Sequence, residues 1–266
     1  MDGETATIIY KNGQGDTNNL KTISQSLEAE DCDVIIAIAT PAAQAAAKIK
    51  DTPIIFAAIT DPVSAGLVES MEKPGGNITG TSDAVSASKI MELAQRMVPS
   101  VKAVGALYSS SEVNSLSVIN DLKDYATANK LTVIEKQIMN TSELQQAAQS
   151  FDGKVDIVFS PIDNNVASAI SSAVKVFNGA KIPYFVSADS MVKDGGLATY
   201  GISYVELGHK TGAMVADVLG GADPATMPVQ VMSEVKIYIN QKTADAIGLE
   251  IPADILAEAT DLSKAE

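Results

Sequence analysis

The chain has 266 residues, a formal net charge of −14 and a sequence pI near 4.5. An acidic surface repels phosphate backbones, and the 19 basic residues form no concentrated stripe, so we expect no nucleic-acid partner. The single cysteine, Cys32, excludes an intrachain disulfide, and no apolar run reaches the roughly 18 residues that span a bilayer. The acidic start, Met1-Asp-Gly-Glu4, is unlike a secretory signal, so an exported protein would be present here in its mature or trimmed form.

Nine short apolar runs are predicted to be β-strands. Several are apolar along their whole length, as strands buried on both faces are. They are Ala6–Tyr10, Asp33–Ala39, Pro53–Ile59, Ile78–Thr81, Ala103–Tyr108, Thr132–Ile138, Asp156–Ser160, Pro183–Val186 and Leu197–Tyr200.

Seven amphipathic segments with apolar residues at helical spacing lie between or after these runs. They are Asn18–Ala29, Pro41–Lys50, Ala87–Val98, Val113–Asn129, Ser142–Phe151, Asn165–Asn178 and Val205–Leu219. Alternating strands and helices predict an α/β fold with doubly wound parallel sheets.

Turn-rich breaks divide the chain at Gly75–Asp83, Lys193–Gly196 and Gly220–Pro228. We interpret them as crossings between two lobes, because such breaks are typical of domain boundaries. The predicted fold is therefore α/β, with two doubly wound parallel-sheet lobes joined by a three-crossing hinge. Residues 1–81 and 197–226 would form the N-terminal lobe, and residues 82–196 and 227–266 the C-terminal lobe.

Ligands of open parallel sheets bind beyond the carboxyl ends of the strands, where helix N-termini point inward. Here the strand ends supply hydroxyls, amides, carboxylates and a tyrosine, but no lysine, cysteine or histidine. The candidate ligand-binding residues are Thr40, Pro41, Ala42, Thr60, Asp61, Ser82, Ser111, Asn114, Ser115, Asp163, Asn164, Asp189 and Tyr200.

Each of these candidates has a simpler structural explanation. The small residues after Thr40 leave backbone N–H groups open to an anion, but a well-capped helix explains the same pattern equally well. Asp163 could pair with an ammonium group or simply cap a helix. Tyr200 could stack on an apolar ligand or belong to the core.

The sequence offers no pattern that favours catalysis. The only histidine, His209, lies within a predicted helix, and neither a dinucleotide-binding glycine motif nor a phosphate-binding loop occurs. We therefore expect a non-enzyme without metal or cofactor, although a catalytic carboxylate pair stays open because sequence gives no carboxyl separations.

Several strand-end segments together resemble a known family. They are Ala37-Ile-Ala-Thr-Pro-Ala-Ala-Gln-Ala-Ala-Ala47, Thr60-Asp-Pro-Val-Ser-Ala-Gly66, Lys73-Pro-Gly-Gly-Asn-Ile-Thr-Gly80, Leu197-Ala-Thr-Tyr-Gly201, and Tyr204 with Glu206-Leu-Gly208. The chain is similar from about Tyr10 onward to the ABC-transporter substrate-binding proteins that include the TrpX-type proteins. The resemblance implies a type I periplasmic-binding-protein fold, an aromatic or branched amino acid as ligand, an ABC permease as partner, and export, often as a lipoprotein.

The resemblance also implies roles for individual residues. Thr40, Pro41 and Ala42 would receive the ligand carboxylate, and Asp163 and Asp189 would hold its ammonium group. The second lobe would contribute Ser111, Asn114 and Ser115.

One departure from the family concerns the start of the chain. Family members have a strand and a helix ahead of the segment that here begins at Tyr10, so the first βα unit is expected to be missing. A sheet edge and face would then be bare, so we expect either that the unit has been trimmed from this sequence or that a partner chain, including a second copy, fills the gap.

Three other functions compete with uptake. An extracytoplasmic sensory domain would need a fused membrane helix, and a lyase-type enzyme would need an activated base or nucleophile at a strand end. A LacI-type effector domain, less favoured still, would need a DNA-binding headpiece. Fold alone does not distinguish these functions.

Overall fold

The computed structural model describes residues 6–232 and 234–264. Its strands, in chain order, are β1 (Ile35–Ile38), β2 (Ile54–Ala57), β3 (Ile78–Ser82), β4 (Ala103–Ser109), β5 (Thr132–Ile138), β6 (Ile157–Ser160), β7 (Tyr184–Val186), β8 (Ala198–Gly201), β9 (Gln230–Val231), β10 (Lys236–Ile239) and β11 (Thr260–Asp261). Its α-helices are α1 (Thr17–Ala29), α2 (Thr40–Ala46), α3 (Ala87–Met97), α4 (Val113–Ala128), α5 (Leu144–Gln149), α6 (Asn164–Ser168), α7 (Ile170–Ala180), α8 (Asp189–Lys193), α9 (Tyr204–Leu219), α10 (Gln241–Ile247) and α11 (Ala253–Glu258).

The smaller sheet has four parallel strands in the order β1-β2-β3-β9. Strand β2 is buried along its whole length, as its unbroken Ile-Ile-Phe-Ala sequence predicts. On one face Phe56 packs with residues of β1 and α2, and on the other Ile55 packs with Met214 and Val218 of α9. At Gly80 of β3 a side chain would collide with the carbonyl oxygen of Phe56, so this close approach requires glycine.

The larger sheet has seven strands in the order β11-β10-β8-β7-β6-β4-β5. All its pairs are parallel except β10 with β8, which is antiparallel. Alternate residues of β6 enter different cores: Ile157 and Phe159 lie in one buried cluster, and Val158 lies in the other. Helices thus cover both faces of the sheet, which confirms the predicted α/β fold of two doubly wound lobes.

The described chain passes from one sheet to the other three times. Residues 83–86 lead from β3 to α3, residues 202–203 lead from β8 to α9, and a segment around residues 232–235 leads from β9 to β10. Of the predicted crossings only the first touches an observed one. The glycines at 195–196 join α8 to β8 within the larger lobe, and Gly220–Pro228 joins α9 to β9 within the smaller lobe.

Sheet membership also corrects the predicted division of the chain. Strand β8, which we placed in the N-terminal lobe with residues 197–226, pairs with β7 and β10 in the larger sheet. Strand β9, which we placed in the C-terminal lobe, pairs with β3 in the smaller sheet. The residues beside a glycine-rich turn do not reveal which sheet the next strand joins, because that depends on pairing with distant strands.

The predicted strand Ala6–Tyr10 is wrong. Residues 7–10 form no strand, and Ile8, Ile9 and Tyr10 are exposed. Strand β1 is an edge strand of the smaller sheet, and on it Ile36 is 50% and Ile38 63% exposed. Ala6 forms a single isolated β-bridge, but a strand needs a neighbouring strand along its length, and residues 7–10 have none among the described residues.

Two predicted helices are each divided in the structure. The segment Ser142–Phe151 consists of a 3₁₀ turn at Thr141–Glu143 followed by α5. The segment Asn165–Asn178 becomes α6 and α7, with a break at Ala169. Everything after Leu219, including β9, β10, β11, α10 and α11, was absent from the prediction because these elements are short.

Candidate functional site

The turn from β1 into α2 presents polar groups at the carboxyl edge of the smaller sheet. Ala39 has φ 72° and ψ 154°, a conformation that favours glycine, and the turn leads directly into Thr40-Pro41. Thr40 is only 2% exposed, yet no described residue forms a hydrogen bond with its hydroxyl or with the N–H groups of Thr40 and Ala42. Donors of this kind at a helix start can receive a carboxylate.

The ends of β2 and β3 meet at a buried carboxylate. Asp83 accepts hydrogen bonds from the Thr60 hydroxyl at 3.0 Å and from the Tyr204 hydroxyl at 2.9 Å. Burial raises the pKa of Asp83 above its ordinary value, and the hydrogen bonds from Tyr204 and Thr60 oppose that shift only partly. Asp83 begins the crossing from β3 to α3, and Tyr204 directly follows the crossing from β8 to α9. Their hydrogen bond therefore joins two of the three crossing segments of the hinge.

Two predicted ligand residues, Thr60 and Ser82, instead form hydrogen bonds within the protein next to the hinge. The Thr60 side chain is bonded to Asp83, and the Ser82 hydroxyl donates to the backbone oxygen of Thr60 at 3.3 Å while accepting from the N–H of Ala84 at 3.2 Å. Both side chains hold local structure at the strand ends.

Asp61 does not point to an open site either. Its Oδ1 accepts the N–H of Ser64 at 3.0 Å, and its Oδ2 accepts the hydroxyl of Ser117 on α4 at 2.6 Å. Burial raises the pKa of Asp61, but the hydrogen bonds from Ser117 and Ser64 outweigh it and keep the pKa below its ordinary value. The second of these bonds joins a loop of the smaller lobe to a helix of the larger lobe.

In the larger lobe Asp163 is held by internal hydrogen bonds. It is fully buried, caps α6 through the N–H of Val166 at 2.9 Å, and also accepts the N–H of Ser109 at 2.6 Å and the hydroxyl of Ser115 at 2.7 Å. Burial, followed by the charge of nearby Glu112, raises the pKa of Asp163 to about 6. The alternative in which Asp163 caps a helix is thus observed, and Ser115 serves Asp163.

Glu112 organises the neighbouring loop. Its carboxylate accepts the N–H groups of Asn164 and Asn165, both at 3.0 Å, and the side-chain amides of Asn164 at 2.7 Å and Asn114 at 3.2 Å. Asn114 also donates to the carbonyl of Ile162 at 2.8 Å, while its own Oδ1 is buried without a partner. Ser111 is exposed, and its hydroxyl lies 2.8 Å from that of Ser109.

Asp189 is the more accessible of the two predicted ammonium ligands. It begins α8 and is partly exposed, and although Oδ1 accepts the N–H of Ser190 at 2.7 Å, Oδ2 accepts no hydrogen bond from the described residues. Burial raises its pKa above the ordinary value. Asp189 and Tyr204 line a concavity of about 310 Å³ to which the loops after β1 and β2 contribute nothing. Tyr200, on β8, is partly buried at the edge of the larger core, and its hydroxyl bonds to no described residue.

The structure thus sorts the predicted residues into two groups. Thr40, Ala42, Asp189 and Tyr200 keep polar groups that bond to no described residue, whereas the side chains of Thr60, Asp61, Ser82, Ser111, Asn114, Ser115, Asp163 and Asn164 form hydrogen bonds with neighbouring protein groups. Sequence reasoning missed Asp83, Glu112 and Asn165. Asp83 directly follows β3 and Glu112 lies three residues after β4, so their positions at strand ends were the signal that could have identified them.

The chain as a whole is similar to a known family of binding proteins. A family model described as ABC transporter substrate binding protein matches residues 1–263. This chain belongs to that family. A tyrosine-binding protein of Clostridioides difficile (strain R20291) is 42% identical to it over 250 residues, which are 94% of this chain and 72% of that protein. The family consists of substrate-binding proteins rather than enzymes, and such proteins of ABC transporters work outside the cytoplasm.

Two solved structures bear on the conformation of this substrate-binding protein. A Streptococcus pneumoniae ABC domain in complex with L-Trp has a TM-score of 0.94 and 42% identity, covering 98% of this chain and 88% of that one. A ligand-free, open substrate-binding protein from Clostridium difficile has a TM-score of only 0.73 at 39% identity, covering 98% and 89%. The fold is that of type I periplasmic binding proteins, and the lobes are arranged as in the L-Trp complex.

Within residues 6–232 and 234–264, no helix is both long enough and apolar enough to cross a bilayer.

Proposed function

We propose that this substrate-binding protein captures a free amino acid between its lobes, with an aromatic side chain preferred. The observation that supports this most is the likeness, at 42% identity and a TM-score of 0.94, to a protein solved in complex with L-Trp. The name of the tyrosine-binding relative is consistent with the same ligand class.

The ligand carboxylate would lie at the start of α2. Here the free hydroxyl of Thr40 and the N–H groups of Thr40 and Ala42 supply donors, and Pro41 leaves no competing N–H between them. The positive end of the helix adds a favourable field for an anion.

The ammonium group would pair with Asp189 rather than Asp163. The Asp163 carboxylate already accepts three hydrogen bonds and is fully buried, whereas Asp189 is partly exposed and keeps one oxygen free. Asn114, Asn164 and Ser115 would then support the wall of the larger lobe, since the first two donate to Glu112 and the third donates to Asp163. Ser111 would do so through its hydrogen bond with Ser109.

A thermal-shift screen of the amino acids tests the ligand class. A ligand at 100 times its Kd adds about 2.7 kcal/mol of stability, which corresponds to a rise in Tm of roughly 5–10 °C for a protein of this size. Analogues that lack either the carboxylate or the ammonium group should lose most of this shift. If no amino acid raises Tm, the ligand proposal is wrong.

Matched variants assign the two charged groups. Asp189→Asn should weaken binding of the amino acid by at least about tenfold, the loss expected for one charge-assisted hydrogen bond. It should leave binding of the desamino analogue unchanged. Asp163→Asn serves as the comparison: if it alone abolishes the preference for the amino acid over that analogue, the assignment to Asp189 is wrong.

We also propose that the protein delivers its ligand to an ABC permease, catalyses no reaction, and is attached to the membrane by lipid. Family membership supports delivery to a permease and attachment by lipid. The absence of lysine, cysteine and histidine from the strand ends supports binding without catalysis. Recovery of the unchanged amino acid after prolonged incubation would support pure binding, and a new product would contradict it.

The bare edge of the smaller sheet supports association of two copies of this chain. Ile36 and Ile38 are exposed on an edge strand whose backbone groups on the outer side have no strand partner among the described residues. Such edges pair readily with other chains.

A further inference from the structure

One side-chain hydrogen bond joins the two lobes beside the cleft. The Ser117 hydroxyl, on α4 of the larger lobe, donates to Asp61 Oδ2 at 2.6 Å, and Asp61 lies in the loop that follows β2 of the smaller lobe. The carboxylate is fixed from its own side, because Oδ1 accepts the N–H of Ser64. Asp61 is therefore oriented towards α4, with each carboxylate oxygen accepting one internal hydrogen bond.

An apolar contact accompanies this hydrogen bond. Val113 lies one turn before Ser117, and residues four apart occupy the same helix face. Val113 packs against the core cluster of the smaller lobe, which includes Ala65 and Leu67 of the loop that follows Asp61. The first turns of α4 thus contact the other lobe in two chemically different ways.

The contact between Asp61 and Ser117 is present in an arrangement of the lobes that is similar to that of the ligand-bound relative. The TM-score is 0.94 with the relative in complex with L-Trp and only 0.73 with the open, ligand-free relative. Sequence identity to this chain does not explain the difference, since it is 42% for the first and 39% for the second.

We propose that Asp61 and Ser117 are positioning residues that latch the lobes together and prolong ligand binding without touching the ligand. The proposal deepens the binding function and rests on it. A hydrogen bond present only in the closed state raises the population of that state, and the apparent Kd falls in proportion to that population. Because the latch breaks when the lobes part, its loss should act mainly on the dissociation rate.

Ser117→Ala tests the latch, and the sequence provides matched comparisons. Ser117→Thr keeps the hydroxyl, and Asn120→Ala alters an exposed residue on the same helix that bonds to no described residue. We expect Ser117→Ala to raise Kd for the amino acid about three- to tenfold. This is less than a buried hydrogen bond to a charged group would give, because solvent weakens the bond at a partly exposed site. Dissociation should accelerate by the same factor, and Ser117→Thr should restore most of the affinity.

Three further measurements separate a latch from other roles. The rank order of amino acids should stay as in the wild type, because a direct ligand contact would alter it. The loss in Tm of Ser117→Ala relative to Asn120→Ala should be larger with saturating ligand than without ligand, because a merely structural role would lower both values equally. In the background of Asp61→Ala, adding Ser117→Ala should cause no further loss.

Small-angle X-ray scattering of the ligand-free protein tests the latch independently of the ligand. Ser117→Ala should have a larger radius of gyration than Asn120→Ala if the bond favours the closed arrangement. A wild-type protein that binds no amino acid would contradict the proposed ligand, and the scattering comparison would still decide the latch. Equal affinities and equal scattering for the two variants would overturn it.

Discussion

Replacing Tyr204 with phenylalanine removes one hydroxyl from the hinge and leaves Asp83 buried with the Thr60 hydroxyl as its remaining side-chain donor. A hydrogen bond to a charged group contributes about 1.5–3 kcal/mol, whereas one between neutral groups contributes about 1 kcal/mol. We therefore expect the free energy of unfolding to fall by about 2 kcal/mol where Asp83 is ionised. For a protein of this size that loss lowers Tm by roughly 4–8 °C.

The dependence of this loss on pH is the sharper part of the prediction. Burial raises the pKa of Asp83, so its stabilising contribution is present at low pH and is lost as pH rises through its folded-state pKa. Removing the Tyr204 donor raises that pKa further, because this bond favours the charged carboxylate. The Tyr204 pKa itself lies well above its ordinary value, owing first to burial and then to Asp83, so the hydroxyl stays a donor throughout. The difference between wild type and variant should therefore increase with pH.

Urea unfolding followed by circular dichroism, from acidic to mildly alkaline pH, measures this difference. Tyr238→Phe is a suitable control, since Tyr238 is a buried tyrosine whose hydroxyl bonds to no described residue. If Tyr204→Phe costs no more than this control, or costs the same at every pH, the reasoning about Asp83 is wrong.

Further predictions concern the larger lobe, the smaller sheet and its edge. The pKa of Asp163, raised to about 6, means that its contribution to stability is full near pH 4 and lost as pH rises past 6. Unfolding free energies of wild type should consequently fall relative to Asp163→Asn across this range by on the order of 2 kcal/mol, and parallel curves would contradict this. Gly80→Ala should fail to fold or lose several kcal/mol, about 3 or more, because the new methyl group meets the Phe56 carbonyl; a variant with unchanged Tm would show that the strands can separate there. Replacing both Ile36 and Ile38 with lysine should abolish self-association in light-scattering measurements over a range of concentrations, and an unchanged oligomer would place the interface elsewhere.

The sequence predicted the fold best where local pattern and tertiary environment agree. The unbroken apolar run of β2 indicates a strand buried on both faces, and the structure places it there. The segment Ala6–Tyr10 has an equally strand-like composition, but whether it forms a strand depends on a partner. The crossings failed for a related reason, because glycine-rich turns occur both within a lobe and between lobes.

The positions of the candidate residues at strand ends were predictable from the sequence, but their hydrogen-bond partners were not. Reading only strand ends found Thr40, Asp163 and Asp189, since parallel sheets place such residues at one edge. Nothing in the sequence distinguishes an aspartate that receives a ligand from one that caps a helix and receives three internal donors, as Asp163 does. The bond between Asp61 and Ser117 joins residues 56 positions apart and was equally out of reach.

The backbone at Ala39 has a consequence for evolution and design. A non-glycine residue with φ 72° and ψ 154° costs of order 1–3 kcal/mol, so glycine would be the easier choice at this turn. An alanine there narrows the angles open to the chain before any ligand arrives, because glycine would leave the turn free to rotate. If the start of α2 receives the ligand carboxylate as proposed, this part of the site is rigid before binding, and binding has less ordering to accomplish. Replacing Ala39 with glycine to gain thermal stability should therefore weaken binding of the solute.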